Sequence, residues 1–381
     1  MTPIALVNAR VLTTQGWREH AAVVVEGGMI RAVAEQARLT TDIERHDLGG
    51  RTLLPGFIDC QVNGGGGVLF NDQPGVDGIR AIGAAHRRFG TTGFLPTLIS
   101  DDIDKMRTAI AAVDAAIEAG VPGVLGIHLE GPFISRERKG VHAAKFLHVP
   151  DADELRIAES LRRGVTLLTL APECVGPAAI RGLVDAGVVV SAGHSNADYA
   201  TVRAALDAGV RGFTHLYNAM SPLTSRAPGV VGAALDDAES WCGVIVDGHH
   251  ADPASLRIAL KAKPRGKVFL VTDAMPPVGA DNPSFVLDGE TITARNGICQ
   301  NANGTLAGSA LDMIEAVRNA VRLLGVPLDE AARMASTYPA DFIGLGATHG
   351  RIEAGCRADF TVIDQAMRVT ETWIDGVPQA M

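Results

Sequence analysis

The pattern of apolar and polar positions divides the chain into a long middle zone and two shorter ends. From about Leu53 to about Leu345, short apolar runs alternate with stretches of helical periodicity. Eight of those runs have strand length: 54–60, 91–96, 124–130, 165–171, 188–194, 211–216, 242–247 and 267–273. Between them, segment 101–119 sets Ile103, Met106, Ile110, Val113 and Ile117 at spacings of three and four before Gly120 and Pro122, one apolar stripe that predicts a helix with a single buried face. Segment 197–210 repeats the pattern with Tyr199, Val202, Leu206 and Val210 behind the candidate caps Ser195 and Asn196. A strand followed by a helix, eight times over, predicts an α/β fold, a (β/α)8 TIM-like barrel.

The ends follow a different rule. Runs from Ile4 to Leu12, Ala22 to Val25 and Met29 to Val33 are broken by Thr13-Thr14-Gln15-Gly16 and by Gly27-Gly28, which predicts a small antiparallel sheet. At the far end, Asp359–Asp364 and Val369–Ile374 read as two more strands joined by a short polar turn. Neither end has enough apolar residues to bury itself alone. The expectation is one discontinuous β-sandwich domain built from 1–52 and 348–381, interrupted by a barrel of residues 53–347. Segment 275–304, rich in Pro, Gly, Asn and Asp, predicts a hairpin or flap after the last strand, over the barrel mouth.

Composition narrows the function classes. The 381 residues fit a barrel of roughly 250 residues plus a smaller partner. With 47% hydrophobic and 20% charged residues the chain is globular, and no apolar run approaches the roughly 20 residues of a membrane span. Its start, Met1-Thr2-Pro3-Ile4-Ala5, lacks the basic and apolar segments of a secretory signal, so a cytoplasmic protein is expected. Cys60, Cys174, Cys242, Cys299 and Cys356 are scattered and odd in number, which predicts reduced thiols rather than a disulfide framework or zinc knuckle. A formal charge of -9 argues against nucleic acid as a partner.

The chemistry lies where the strands end, because a barrel of this kind carries its active site at the carboxyl ends of its strands. Glu130, His194, His215 and Asp273 close the third, fifth, sixth and eighth runs, each followed by turn residues. Any one histidine there could simply bond backbone at the barrel mouth. Three metal-capable side chains at matching strand ends point instead to one divalent cation, and a mixed imidazole and carboxylate set suits catalytic zinc, with iron, cobalt or manganese as alternatives. Asp273 could cap a helix before Pro276, but the six largely apolar residues ahead of it favour a candidate proton carrier.

Several motifs then carry a resemblance. Pro55-Gly56-Phe57-Ile58-Asp59, His128-Leu129-Glu130-Gly131-Pro132, Gly193-His194-Ser195, Thr214-His215-Leu216-Tyr217-Asn218-Ala219-Met220, Asp247-Gly248-His249-His250, Thr272-Asp273-Ala274 and Leu306-Ala307-Gly308-Ser309 span nearly the whole chain. Their order resembles that of the N-acetylglucosamine-6-phosphate deacetylases of the amidohydrolase superfamily. The resemblance implies that Glu130, His194 and His215 bind the metal and that Asp273 is the general acid/base. It implies further that His142 contacts the sugar and the acetyl carbonyl, that Val141, Asn218 and Ala219 bind substrate, and that Arg226 and His250 hold the phosphate. Leu306, Ala307 and Gly308 would line the pocket. Many amidohydrolases carry His-x-His after the first strand; here Gln61-Val62-Asn63 stands in its place, so one metal is expected, with Gln61 and Asn63 left to orient the water or to hold a second ion weakly.

The implied reaction is hydrolysis of N-acetyl-D-glucosamine 6-phosphate to D-glucosamine 6-phosphate and acetate, in amino-sugar catabolism or recycling. Family members are usually homodimers, in which Arg226 would act on the neighbouring subunit. Other amidohydrolase readings share the barrel: a deacetylase for the galactosamine epimer, a deaminase or a cyclic-amide hydrolase. A non-catalytic assembly protein of this superfamily would show a broken constellation, whereas all four strand-end residues are present.

Overall fold

Strands buried on both faces need no polar alternation, which is why the barrel runs stand out as continuous apolar stretches. In the computed structural model all eight form, as Phe57–Val62, Thr91–Ile99, Gly126–Glu130, Val165–Leu170, Val189–Ala192, Gly212–Phe213, Trp241–Val244 and Val268–Leu270. They hydrogen-bond in chain order as one parallel eight-stranded sheet. The last strand meets the first: the Asp273 amide donates to the Gln61 carbonyl (3.1 Å) and the Asn63 amide to the Ala274 carbonyl (2.9 Å), so the sheet closes as a TIM-like barrel. The structure describes residues 3–39, 43–295 and 297–379; the remaining positions of the terminal and flap stretches, 1–2, 40–42, 296 and 380–381, lie outside the described residues.

Helices cover the barrel as the stripes require. Ile103–Glu118 starts at Asp102, whose carboxylate accepts from the Lys105 amide at 2.7 Å, and buries Met106, Ile110 and Val113. The helix at Tyr199–Asp207 is capped by Asp198, which accepts from Thr201 N at 2.8 Å, and not by Ser195 or Asn196. Those two residues are spent on the crossing from strand to helix, where the Ser195 hydroxyl and the Asn196 amide both donate to Glu173.

The two ends form one seven-stranded sheet in the order Val377–Gln379, Val369–Ile374, Phe360–Ile363, Glu44–Pro55, Ile4–Thr13, Gly16–Glu26 and Met29–Glu35. It curls, so that Leu6, Val23 and Ile30 share a core with Phe360, Val362 and Trp373, and the Ile30 amide reaches the Cys356 carbonyl at 2.8 Å. This is the expected union of the termini, with one correction. The sheet is mixed, because Ile4–Thr13 pairs in parallel with Glu44–Pro55. That strand is hidden in the sequence by its exposed polar residues and by Gly49 and Gly50, both at positive φ. It also absorbs Leu54 and Pro55, so the first barrel strand begins only at Phe57. Gly56 makes the turn between them: a Cβ there would lie 2.1 Å from Thr92 Oγ1, so only glycine lets the two sheets approach this closely.

Segment 275–304 is more than a hairpin. Ser284–Leu287, Glu290–Arg295, Ile298–Gln300 and Leu306–Ser309 make a four-stranded antiparallel sheet, joined to the end of the eighth barrel strand through Ala274 and Ser309. Among the described residues no helix is long and apolar enough to cross a membrane.

Asp59 fastens the barrel's closure. Fully buried on the first strand, its carboxylate accepts from the Gln61 amide (3.2 Å), the Thr272 amide (3.3 Å) and the Thr272 hydroxyl (2.5 Å), and burial pushes its carboxyl up to about 7. Replacing Asp59 by Ala strands buried donors without an acceptor, which costs about 1–3 kcal/mol. The expected result is a lower urea midpoint at unchanged slope, and a midpoint equal to that of the unmodified protein would remove Asp59 from this role.

Candidate active site and metal centre

The strand ends deliver the expected residues to one place. Glu130 Oε1 lies 3.2 Å from His194 Nε2 and 3.0 Å from His215 Nε2, and the two imidazole nitrogens are 3.1 Å apart. All three side chains are buried, and their ligand atoms lie within 4.8 Å of one another, the geometry of a single-ion cluster.

The chemistry of the donor set tests whether a cation fits. His194 Nδ1 is 2.8 Å from the Arg138 carbonyl, which can only accept, so Nδ1 carries a proton and the neutral ring would turn an Nε2 lone pair toward Glu130. An acceptor thus faces an acceptor, and a positive charge must sit between them. Burial alone would raise the Glu130 carboxyl; the facing imidazoles of His194 and His215 outweigh it and hold the group well below the ordinary carboxylate range. Burial alone would likewise lower His215, but the hydrogen bond and charge of Glu130 raise it. A divalent ion satisfies the same demand for positive charge with three inner ligands and leaves a position open.

Asp273 follows on the eighth strand. Its Oδ1 accepts from Asn63 Nδ2 (2.6 Å) and Gln61 Nε2 (3.1 Å), and the same Gln61 nitrogen donates to Glu130 Oε1 (3.1 Å). Both amides therefore present donors to the carboxylates. Oδ2 has no hydrogen-bond partner among the described residues and remains for the cavity. Burial, and then the Glu130 charge, push the Asp273 carboxyl up to about 6.

His142 reaches the site from the loop after the third strand, with its ring 4.5 Å from that of His194. The Ser100 amide donates to His142 Nδ1 at 3.2 Å, which makes Nδ1 the acceptor and leaves Nε2 as the N–H donor of a neutral ring. Burial lowers this imidazole to about 3, so it stays neutral.

Backbone conformation at these positions is unusual. His194, His215, Tyr217, Ala219 and Asp273 all have φ between 34° and 81°, sparsely populated for residues other than glycine. Such strain persists only where the surroundings over-determine it, and its concentration at the mouth of this barrel marks a functional site.

A cavity of about 160 Å³ opens above the cluster. Besides the residues named, Val141, Asn218, Ala219, His250, Leu306 and Gly308 line it. Gly308 has to be glycine, since a Cβ would lie 2.7 Å from Met275 Cγ and 2.8 Å from the Asp273 carbonyl at a φ of +63°. Two expected contacts are placed elsewhere. Ala307 points away from the cavity, into a small cluster with Leu69, Met275, Ile292 and Cys299, as the two-residue period of its strand requires. Arg226 is exposed on the 221–229 loop and is not among the cavity residues of its own chain.

Several contributors were not singled out from the sequence. Ser100 orients His142; the second strand, expected over 91–96, runs on to Ile99 and brings Ser100 to the mouth. His128, neutral at about 4 through burial, lies two residues before Glu130 and hydrogen-bonds to Thr169 Oγ1 (2.8 Å) and Thr97 Oγ1 (3.3 Å). Thr169, Thr214 and Ser191 continue this polar layer beneath the cluster. Asp247, visible only as part of a motif, binds His250 Nδ1 at 2.6 Å.

Comparison with known proteins places this geometry. Residues 52–378 match the amidohydrolase family and residues 4–53 the NagA composite domain. An N-acetylgalactosamine-6-phosphate deacetylase of Shewanella is 45% identical over 97% of this chain and 94% of its own. An N-acetylglucosamine-6-phosphate deacetylase of Haemophilus influenzae is 38% identical over 98% of both. Among solved structures, the N-acetylglucosamine-6-phosphate deacetylase of Pasteurella multocida superimposes with a TM-score of 0.96 at 38% identity over the whole of both chains. A mutant of the Mycobacterium smegmatis deacetylase in complex with N-acetyl-D-glucosamine-6-phosphate gives 0.91 at 32% identity over 99% of both. The chain belongs to the amidohydrolase family, in the branch with a NagA composite domain that contains the N-acetylglucosamine-6-phosphate deacetylases.

Proposed function

We propose that this protein hydrolyses N-acetyl-D-glucosamine 6-phosphate to D-glucosamine 6-phosphate and acetate. The observation that carries the reading is the convergence of Glu130, His194 and His215 on one point, with Asp273 beside them and a cavity above. Relatives of that name align over nearly the full length of both chains, which favours deacetylation over deaminase, cyclic-amide and non-catalytic readings.

Glu130, His194 and His215 would hold one divalent ion, zinc in this reading. When bound, that ion polarises the acetyl carbonyl and lowers the pKa of water to about 7. The chain's residues do the rest. Asp273, fixed through Oδ1 by Gln61 and Asn63, takes the proton of the attacking water on Oδ2 and returns it to the departing amine nitrogen. His142 Nε2–H donates to the carbonyl oxygen as negative charge grows there. Gln61 and Asn63 turn amide donors toward Asp273, which suits carboxylate positioning better than a second ion.

In this reading His250, which lines the same cavity, receives the phosphate, while Val141, Asn218, Ala219, Leu306 and Gly308 form its walls. Arg226 completes the phosphate site from the neighbouring subunit of a homodimer; its exposure on a loop away from its own cavity supports that role. Five free cysteines fit a cytoplasmic setting. The galactosamine epimer is the second reading, favoured by the 45% identity to the Shewanella enzyme.

The deciding experiment is acetate release from the 6-phosphates of both N-acetylhexosamines and from unphosphorylated N-acetylglucosamine, before and after chelation. The expected result is release from the glucosamine 6-phosphate, lost on chelation and restored by a divalent metal; activity that survives complete metal removal rejects the mechanism. Asp273→Asn should keep its metal and lose roughly 10²–10⁴ in turnover, and near-normal turnover would reject the assignment. His194→Ala should lose the ion, so unchanged content by elemental analysis counts against the ligand set. The general base must be deprotonated, so kcat/KM should fall toward acid. Because a cation beside Glu130 lowers the Asp273 carboxyl further, the midpoint of that limb is expected at or below about 6; a midpoint above 7 points to another base.

A further inference from the structure

The reading above leaves unexplained how His250 comes to face the cavity with a donor. His250 follows the seventh barrel strand, and both its side chain and that of Asp247 are more than nine-tenths buried, at 6% and 3% exposure. Asp247 Oδ1 accepts from the backbone amides of His249 (2.8 Å) and His250 (2.9 Å), which folds the turn back on itself. Its Oδ2 lies 2.6 Å from His250 Nδ1. A carboxylate that already takes two amide donors is an acceptor, so Nδ1 carries the hydrogen of this contact. Nε2 makes no hydrogen bond among the described residues, is not one of the sealed polar atoms, and belongs to a ring that lines the cavity.

The consequence follows from the chemistry of phosphate. Its oxygens are acceptors, so Nε2 is useful to a phosphate only as N–H, and a ring that already carries hydrogen on Nδ1 must then carry two protons. The Asp247 carboxylate at Nδ1 stands on the opposite edge of the ring as a countercharge to the N–H that Nε2 turns to a phosphate, and charge-assisted N–H···O contacts are about twice as strong as neutral ones. The interaction also works on the acid: burial alone would raise the Asp247 carboxyl, and the His250 hydrogen bond and charge, with the two amides, bring it below its ordinary value.

We propose that Asp247 is the positioning residue of the phosphate end of the cavity, fixing the His250 ring through Nδ1 and supplying the countercharge with which Nε2–H grips a phosphate dianion. This rests on His250 receiving the phosphate. Asp247 does not line the cavity and hydrogen-bonds only within its own turn, to His249 and His250, so its influence is confined to affinity for the phosphorylated substrate. A merely structural aspartate at the turn would affect phosphorylated and unphosphorylated sugars alike.

The test compares Asp247→Asn, Asp247→Ser and His250→Ala in the metal-loaded enzyme, with the 6-phosphate and the unphosphorylated N-acetylglucosamine as substrates and inorganic phosphate as a competing ligand. Asp247→Ser is the second variant in case Asn does not fold, because its hydroxyl still accepts from a turn amide. The expected result is a KM for the 6-phosphate raised about tenfold or more in either Asp247 variant, a parallel weakening of inhibition by phosphate, and kcat within about threefold. The kcat/KM for the unphosphorylated sugar should stay close to that of the unmodified enzyme. If His250→Ala raises KM for the 6-phosphate and the Asp247 variants do not, or if the latter depress both substrates equally, the role of Asp247 is overturned. If His250→Ala leaves the preference for phosphate intact, the phosphate reading of His250 itself fails.

Discussion

Two imidazole nitrogens and one carboxylate oxygen within hydrogen-bonding distance of one another call for positive charge in their midst. That demand is the constraint on which the rest of this molecule depends. Glu130, His194 and His215 come from strands that are 64 and 85 residues apart along the chain from the first to each histidine, and only a closed barrel holds their ends at fixed separation. Closure in turn requires the first and eighth strands to meet. Asp59 ties Thr272 to the first strand, and the Asp273 amide bonds Gln61 O, so the residues that shut the barrel also set the proposed proton carrier in place. The left-handed backbone at His194, His215 and Asp273 is the local cost of turning strand ends inward, and the rigidity of the closed sheet sustains it.

The same economy governs Gln61 and Asn63. Histidines at these positions would offer lone pairs to a second cation; amides instead offer hydrogens, and both are aimed at Asp273 Oδ1. One oxygen of the carboxylate is thereby immobilised while the other stays available. The carboxylate's raised affinity for a proton, which comes from burial and from Glu130, suits a group that must both take and return one.

The sequence made the barrel legible because burial on two faces turns each strand into an unbroken apolar run with a chemically distinct residue at its end. It was less informative wherever a strand is not of that kind. Glu44–Pro55 has a solvated face and a glycine pair, so its hydrophobic signal is weak, and the parallel pairing that makes the terminal sheet mixed was invisible without it. Ser100 was lost because the second strand runs three residues beyond the expected 91–96, to Ile99. The direction of Ala307 is set by the register of the flap sheet, a tertiary property, and the cap at Asp198 by the path the chain takes around Glu173. Glu130, His194, His215 and Asp273 were legible as a set, while the groups that aim them were not, because orientation depends on partners distant in sequence.

Charge sets a last requirement on the cavity. Its own walls contribute the carboxylates of Glu130 and Asp273, the chain as a whole carries a formal charge of -9, and the proposed substrate arrives as a phosphate anion. One divalent ion offsets the carboxylates around it and leaves little over for a phosphate at the other end of the sugar. In the proposed phosphate site His250 would meet part of that need with Asp247 behind it, and a buried Asp–His pair is by itself close to neutral. A phosphate bound there would call for a further positive group, and no arginine or lysine lines the cavity among the described residues of one chain. Arg226 is a solvent-facing guanidinium on a loop, with a planar fork of donors suited to phosphate. In the dimer proposed above, a second copy of the chain would bring that guanidinium to the phosphate.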